Sequence, residues 1–359
     1  MSQMTPGQIK AALDAGIISL EQAKALRTLY QTSQSDTEIF PEAVDSDTDA
    51  AVIGQEDLRF LRSFSDVFIA IGVGIFVLGL SIAARLMGGG ISYLLCAGLM
   101  WVMAEYFGRK KRAHLPTLIT ALAFLFFVHG GVSTLVSAAG LGGGVTTALI
   151  TLLAMFGFYT RIHLPFCMAL IALSLLYLFY TVLFRLMPEF AGAHIGLALI
   201  VGGAITFSTA LYYDTKDLHR TTRFSDNAFW LHLTAAPLLI HGLAVETVRL
   251  KSETVFDVIP IVSLSQQDAA LVMIAIGVIC LIGLAINRRA LIVSSLGYGG
   301  IALGFLIRGA GLDFGNLIAL TFVLLGLAIV FLGSAWHPLR NRLIKILPRW
   351  KVFPPPYEA

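Results

Sequence analysis

Ten runs of apolar residues, each long enough to cross a bilayer, constrain this chain more than any other feature. A spanning helix needs about 20 such residues at 1.5 Å rise per residue. The runs fall at 64–86, 91–107, 115–138, 142–160, 164–185, 193–213, 225–248, 268–286, 291–308 and 312–334. In lipid every backbone amide must find its partner inside the protein, so only helices and closed β-barrels span. Barrel strands alternate polar with apolar residues, whereas FVLGLSIA and LVMIAIGVICLIGLAI are apolar throughout. The expected fold is therefore all-α, a polytopic integral membrane bundle of ten helices over residues 63–335. Composition agrees, with 57% hydrophobic residues and 13% charged.

The connecting loops are alternately rich and poor in Lys and Arg. With the N-terminus placed in the cytosol, the inner segments carry Arg59 and Arg62, the run Arg109 to Arg112, then Arg161, Lys216, Arg220, Arg223, Arg288 and Arg289, and the basic tail from Arg340. Together with Lys10, Lys24 and Arg27 they hold twenty of the 25 basic residues. The positive-inside rule thus puts both termini in the cytosol. Short basic loops beside spans are explained by insertion and by anionic lipid, so the expected partner is the lipid bilayer and no nucleic acid. Cys96, Cys167 and Cys280 all lie within apolar runs without metal or redox spacing, and read as packing residues.

Outside the membrane, residues 1–30 read as a cytosolic helical hairpin. Thr5-Pro6-Gly7-Gln8 and Ser19-Leu20-Glu21-Gln22 each resemble a capping box, in which a hydroxyl and a Gln satisfy one another's backbone amides. So short a hairpin buries too little to stand alone; docking on a protein partner or self-association is expected. The same 30 residues lack the apolar centre of a signal peptide, so no cleaved leader is expected. Residues 31–62 form an acidic linker, with eight acids and no Lys or Arg between 31 and 57; a spacer is the simple role, a contact with the basic loops the sharper one. In the tail, 336–359, Leu339, Leu343, Ile346, Leu347 and Trp350 recur at helical spacing with Arg340, Arg342, Lys345 and Arg349 largely off that stripe, as an interfacial helix requires. Pro354-Pro355-Pro356-Tyr357 matches a short WW-domain ligand pattern, a cheap match in a Pro-rich tail.

Ionisable groups inside spans point to function because burying them costs ~2.5–3.5 kcal/mol even on the mildest scale. His129 in the third run and His241 in the seventh lie at similar depth, each followed by Gly. Ser133 extends the His129 face; Thr234 and Pro237 precede His241, and the proline frees a carbonyl mid-span. If those faces meet, two imidazoles could relay a proton or hold a metal or a haem; otherwise each hydrogen-bonds a neighbouring helix. No cofactor is expected. Asp66, Glu105 and Asp226 sit near inner span ends beside Arg62, Arg109 and Arg223, where interfacial pairing or a cation site would place them. No phosphate loop, HExxH, CxxC or GxSxG pattern is present, so no catalytic residue is nominated. Close helix packing is the expected role of the glycines, including Gly300 and Gly304 in GxxxG spacing and Gly72, Gly74 and Gly79 in the first run.

Two segments echo each other. Phe64-Ser65-Asp66 opens the first run as Phe224-Ser225-Asp226 opens the seventh, and Ala139-Gly140-Leu141 precedes the fourth as Ala310-Gly311-Leu312 precedes the tenth. A 4+2+4 parallel repeat would relate spans 1–4 to 7–10, as in some transporters.

The AGIIS-LEQA turn of the hairpin, the linker, Phe64-Ser65-Asp66 and the Trp336-His337-Pro338-Leu339-Arg340 segment together resemble a family of bacterial inner-membrane proteins, the domain-of-unknown-function 2157 type. The resemblance spans nearly the whole chain and implies a multi-pass protein of the bacterial cytoplasmic membrane, with no assigned activity and no functional residue to carry over. The expected role is regulation or assembly through the hairpin, leaning away from an enzyme. A secondary transporter or channel with a mid-membrane polar site is the alternative, and a His-ligated metal or haem protein the third.

Overall fold

A computed structural model describes residues 19, 22, 64–141, 143–217, 222–248, 254–255, 259–260, 266–308 and 311–347. The acidic linker and the proline–tyrosine end lie outside the described residues, as does all of the N-terminal hairpin but Ser19 and Gln22. Those two form the expected reciprocal cap: the Ser19 amide donates to Gln22 Oε1 at 2.9 Å and the Gln22 amide to Ser19 Oγ at 3.2 Å.

Ten of the described helices are long and apolar enough to cross a membrane. In order they are Phe64–Met87, Gly89–Ala104 continued by a π-helical turn Glu105–Lys110, His114–Ala138, Gly143–Ile162, Cys167–Leu186, Ile195–Lys216, Arg223–Val248, Gln266–Ala285, Ala290–Arg308 and Phe314–Ser334. Sequence expectation places every boundary within three residues, because hydropathy falls where loops begin. A short helix, Pro188–Ala193, precedes the sixth span, and a terminal helix, Trp336–Ile346, follows the tenth. One small departure from an all-α fold joins spans seven and eight: Thr254–Val255 pairs antiparallel with Ile259–Pro260.

Burial is uneven in a way that organises the bundle. The third and seventh spans bury half of their membrane windows, and the tenth buries none. Around the third span, Met100, Phe124, Phe127, Met155 and Phe158 make one core from spans two to four. Around the seventh, Ile240, Val272, Ile276 and Leu291 make a second from spans seven to nine. Trp101 is wedged edge-on against Phe124 and Phe158, with centroids 5.5 Å away in each case.

Helices without hydrophobic drive in lipid associate by close backbone approach at small residues. Two crossings show it. A Cβ on Gly90 would lie 2.4 Å from the Gly131 carbonyl oxygen, and one on Gly196 would lie 2.7 Å from that of Gly242. The expectation for the first-span glycines is corrected: a Cβ at Gly72, Gly74 or Gly79 would meet nothing within 4 Å, so these face outward. At Gly300 a Cβ would lie a tight 3.3 Å from Leu325 Cδ2 of the tenth span, as close packing requires, whereas at Gly304 it would lie an ordinary 3.7 Å from Thr321 Oγ1.

The terminal helix packs on the end of the eighth span. Trp336 is buried against Leu284 and Ile292, its Nε1 donates to Asn287 Oδ1 at 2.9 Å, and the Arg289 guanidinium lies 5.3 Å from its ring. Arg340, which helical spacing sets off the apolar stripe, is fully buried.

Candidate functional site

Ionisable side chains gather at the end of the bundle that carries the basic loops. There the last turn of the sixth span supplies Asp214, the seventh span supplies Ser225 and His232, and the turn between spans eight and nine supplies Arg288. Ser225 and His232 are seven residues apart, two helical turns, and so share one face. Arg288 Nε donates to Asp214 Oδ1 at 3.0 Å and to Oδ2 at 3.3 Å, while its terminal nitrogen also meets Oδ1 and reaches Ser225 Oγ at 3.3 Å. His232 Nε2 lies 2.8 Å from Asp214 Oδ2. A carboxylate only accepts, so the imidazole proton sits on Nε2. His232 is 0% and Arg288 1% exposed, against 12% for Asp214. Such a network stakes much on geometry: satisfied, it fixes three chain segments together, and broken it leaves a charge in a poor solvent.

Asn287 enables this arrangement. It holds a left-handed backbone at φ 56°, which turns the chain sharply after the eighth span and brings the Arg288 amide back to the Gly283 carbonyl at 2.7 Å. Asn tolerates that region better than most residues.

A second, open cluster lies at the same end. Glu105 opens the π-helical turn and accepts from Arg109 NH1 at 3.0 Å and from Arg161 Nε of the fourth span. Here the side chains are 26%, 48% and 53% exposed, respectively. The pairing expected for Glu105 with Arg109 is present, and Arg161 joins it. Asp226 is half-buried in the first turn of the seventh span and Asp66 in that of the first.

The mid-span residues nominated by sequence go to separate places. His129 packs edge-on against Tyr177 of the fifth span at 5.3 Å, and His241 lies tilted against Tyr298 of the ninth at 5.8 Å. The third and seventh spans do not form a packed pair. Ser133 is half-buried, Thr234 Oγ1 donates back to the Trp230 carbonyl at 2.9 Å, and Pro237 lies inside the unbroken seventh helix. His241 Nδ1 is buried with no hydrogen-bond partner. Among the described residues, no three of His, Cys, Asp and Glu converge in a way that could hold a metal ion.

Sequence reading missed Asp214, His232 and Arg288 as a set. Hydropathy ends the sixth run at 213 and so places Asp214 in a loop, and Arg288 reads from sequence only as a topology signal. The available clue was the shared face of Ser225 and His232, with one acid and one arginine at neighbouring inner ends.

Comparison with protein-family models, curated proteins and solved structures finds no match to this chain. The fold and the site stand on their own geometry.

Proposed function

We propose that this is a protein of the bacterial cytoplasmic membrane, with both termini in the cytosol, that acts in regulation or assembly at the inner face. One observation carries it: polar chemistry concentrates at the basic end. Asp214 with His232 and Arg288, Glu105 with Arg109 and Arg161, and the anchored terminal helix all lie there. An even number of crossings returns the chain to its starting side, so the hairpin and acidic linker share that face. The basic bias supports its being cytosolic, and the family resemblance supports the bacterial membrane.

Orientation is tested by cysteine labelling in spheroplasts. Lys111→Cys should resist an impermeant maleimide until the cells are opened, and Leu141→Cys should react from outside; the reverse pattern refutes the placement. The role is tested by deleting residues 1–57. An assembly role predicts intact membrane insertion with loss of both the complexes recovered from native membranes and the cellular phenotype. A truncated chain that restores the phenotype fully refutes it.

A second reading, solute transport, is favoured by His241, whose unpartnered Nδ1 lies one turn from Pro237. A thermal-stability screen of the detergent-solubilised chain against ions, amino acids and sugars tests it, since a ligand at a hundredfold excess over its Kd adds about 2.7 kcal/mol. A shift abolished by His241→Ala selects transport.

A further inference from the structure

Where the ends of the second, third, fourth and seventh spans meet the loop before the fifth, they form a polar cavity of about 600 Å³. Its wall is formed by Arg109, Arg112, Arg161 and Arg223 with His114 and His163, and by the single carboxylate of Asp226. Glu105 stands behind Arg109 and Arg161. Four guanidiniums against two carboxylates leave a surplus of two positive charges before either imidazole is counted.

We propose that this cavity binds a phosphate-type anion at the bilayer surface, either the headgroup of an anionic phospholipid or a soluble phosphate.

Three features select phosphate over diffuse attraction. The first is the choice of cation. In the run Arg109-Lys110-Lys111-Arg112 the two arginines line the cavity and the two lysines do not, and Lys110 instead lies over the Tyr106 ring at 5.9 Å. A planar guanidinium matches two phosphate oxygens at once, where an ammonium offers a point charge. The second is shape. Gly108 lets the walls close on a floor of Thr117 and Ile162, since a Cβ there would lie 2.9 Å from Thr117 Cγ2 and 3.0 Å from Ile162 Cγ2. Thr117 is fully buried and its hydroxyl is committed to the Ala113 carbonyl at 2.6 Å, so the cations stand as a rim over a closed base. The third is backbone. Among the described residues three that are not glycine have positive φ, and two of them, Arg112 at 54° and His163 at 57°, are on this rim. Residues held in that region tend to cluster at ligand clamps.

The cavity's position at the ends of spans puts it at headgroup depth, and its volume admits one phosphate with its ester group. Its charge sign matches an inner leaflet rich in anionic lipid. The inference needs the basic end to lie at a bilayer surface and is independent of the assembly role, which concerns residues 1–57.

The test uses the full chain. In detergent at constant ionic strength, inorganic phosphate and glycerol phosphate are titrated while thermal stability is read, with chloride as control. In phosphatidylcholine nanodiscs with and without phosphatidylglycerol, retained lipid is counted by native mass spectrometry. Arg112→Gln with Arg223→Gln removes two exposed guanidiniums that take no part in the Glu105 pairs. Lys110→Gln with Lys111→Gln removes the same charge from positions off the wall. Losing charge-assisted hydrogen bonds weakens binding on the order of tenfold for each arginine. The arginine variant should therefore lose binding, and the lysine variant should change it by about twofold or less. A response to soluble phosphate names that source; retention of phosphatidylglycerol alone names the lipid. Equal losses in the two variants mean surface charge without a site and overturn the proposal. So does a protein that responds to neither probe, or one whose stability moves only when the acids of residues 31–57 are neutralised, which would make that segment the occupant.

Discussion

Replacing Arg288 by Met should destabilise the protein far more than loss of an exposed charge such as Arg109 or Arg161. The side chain is 1% exposed and contacts Asp214 through both Nε and a terminal nitrogen, with Ser225 beyond. Without it, the Asp214 carboxylate keeps His232 as its remaining partner in this network. Removing one member of a buried pair costs about 3–5 kcal/mol because the other is left in a poor solvent. Asp214 retains 12% exposure at a span end, so the lower figure, about 3 kcal/mol, applies. Asp214→Asn alone leaves the guanidinium buried and should cost about as much. In the double variant the charges leave together, while Asn still offers an oxygen to His232 Nε2, so its cost should fall well short of the sum. The measurement is a double-mutant cycle on reversible unfolding in bicelles, with a coupling of at least about 2 kcal/mol expected. Costs that add within about 0.5 kcal/mol would refute a buried clamp, because independent sites add and exposed pairs contribute about 0–1 kcal/mol.

Three further outcomes follow from the packing. Gly196→Ala puts a Cβ 2.7 Å from the Gly242 carbonyl and 2.8 Å from the Glu246 amide, and overpacking of this kind costs about 1–3 kcal/mol; Gly326→Ala meets nothing within 4 Å and should gain about 0.5–1 kcal/mol from helix propensity, so the two differ in sign in the same unfolding assay. Trp336→Phe removes the donor to Asn287 Oδ1 and should expose the terminal helix to limited proteolysis while leaving the spans folded; an unchanged cleavage rate would sink this anchor. Burial, and then the neighbouring Arg289 and Arg340, hold the His337 imidazole below its usual range. A depressed histidine binds its proton more readily when the helix is undocked, so docking is fully stable above about pH 6.5 and weakens as pH falls below it; proteolysis that does not change between pH 7.5 and 5.5, or that changes equally in His337→Gln, would count against it.

Local chemistry was readable from the residues, and long-range pairing was not. Ten spans, their ends, the Ser19 cap and the Glu105–Arg109 pair depend on residues within a turn or on a run of hydropathy. Asp214 and Arg288 are 74 positions apart, and Glu105 and Arg161 are 56. No periodicity within one helix links such residues; only the packing of spans does. The glycines show the same division. Spacing nominated Gly72, Gly74 and Gly79, which face outward, because a small residue is compatible with a crossing without requiring one. His129 and His241 attracted notice by depth, and the more deeply buried His232 was passed over because its partner sits at a helix end that hydropathy assigns to a loop.

Several contacts recur four spans apart, an offset different from the six of the sequence echoes. The second and third spans cross at Gly90 and Gly131 as the sixth and seventh do at Gly196 and Gly242. His129 meets a tyrosine two spans on, and so does His241. Glu105 at the end of span two takes Arg161 at the end of span four, and Asp214 at the end of span six takes Arg288 just after span eight. Each arginine has a left-handed residue close by, His163 or Asn287. The same framework therefore appears twice with opposite finish: sealed around Asp214, and open around Glu105, where Arg109 and Arg161 also line the anion cavity. If the sealed copy is a clamp and the open copy a ligand site, their arginines must differ in what they sustain. Arg161→Met should cost only about 0–1 kcal/mol of stability, as an exposed pair does, and should weaken phosphate binding; Arg288→Met should do the reverse. Equal stability losses from the two substitutions would show that both clusters are structural, and that the difference in exposure carries no functional division.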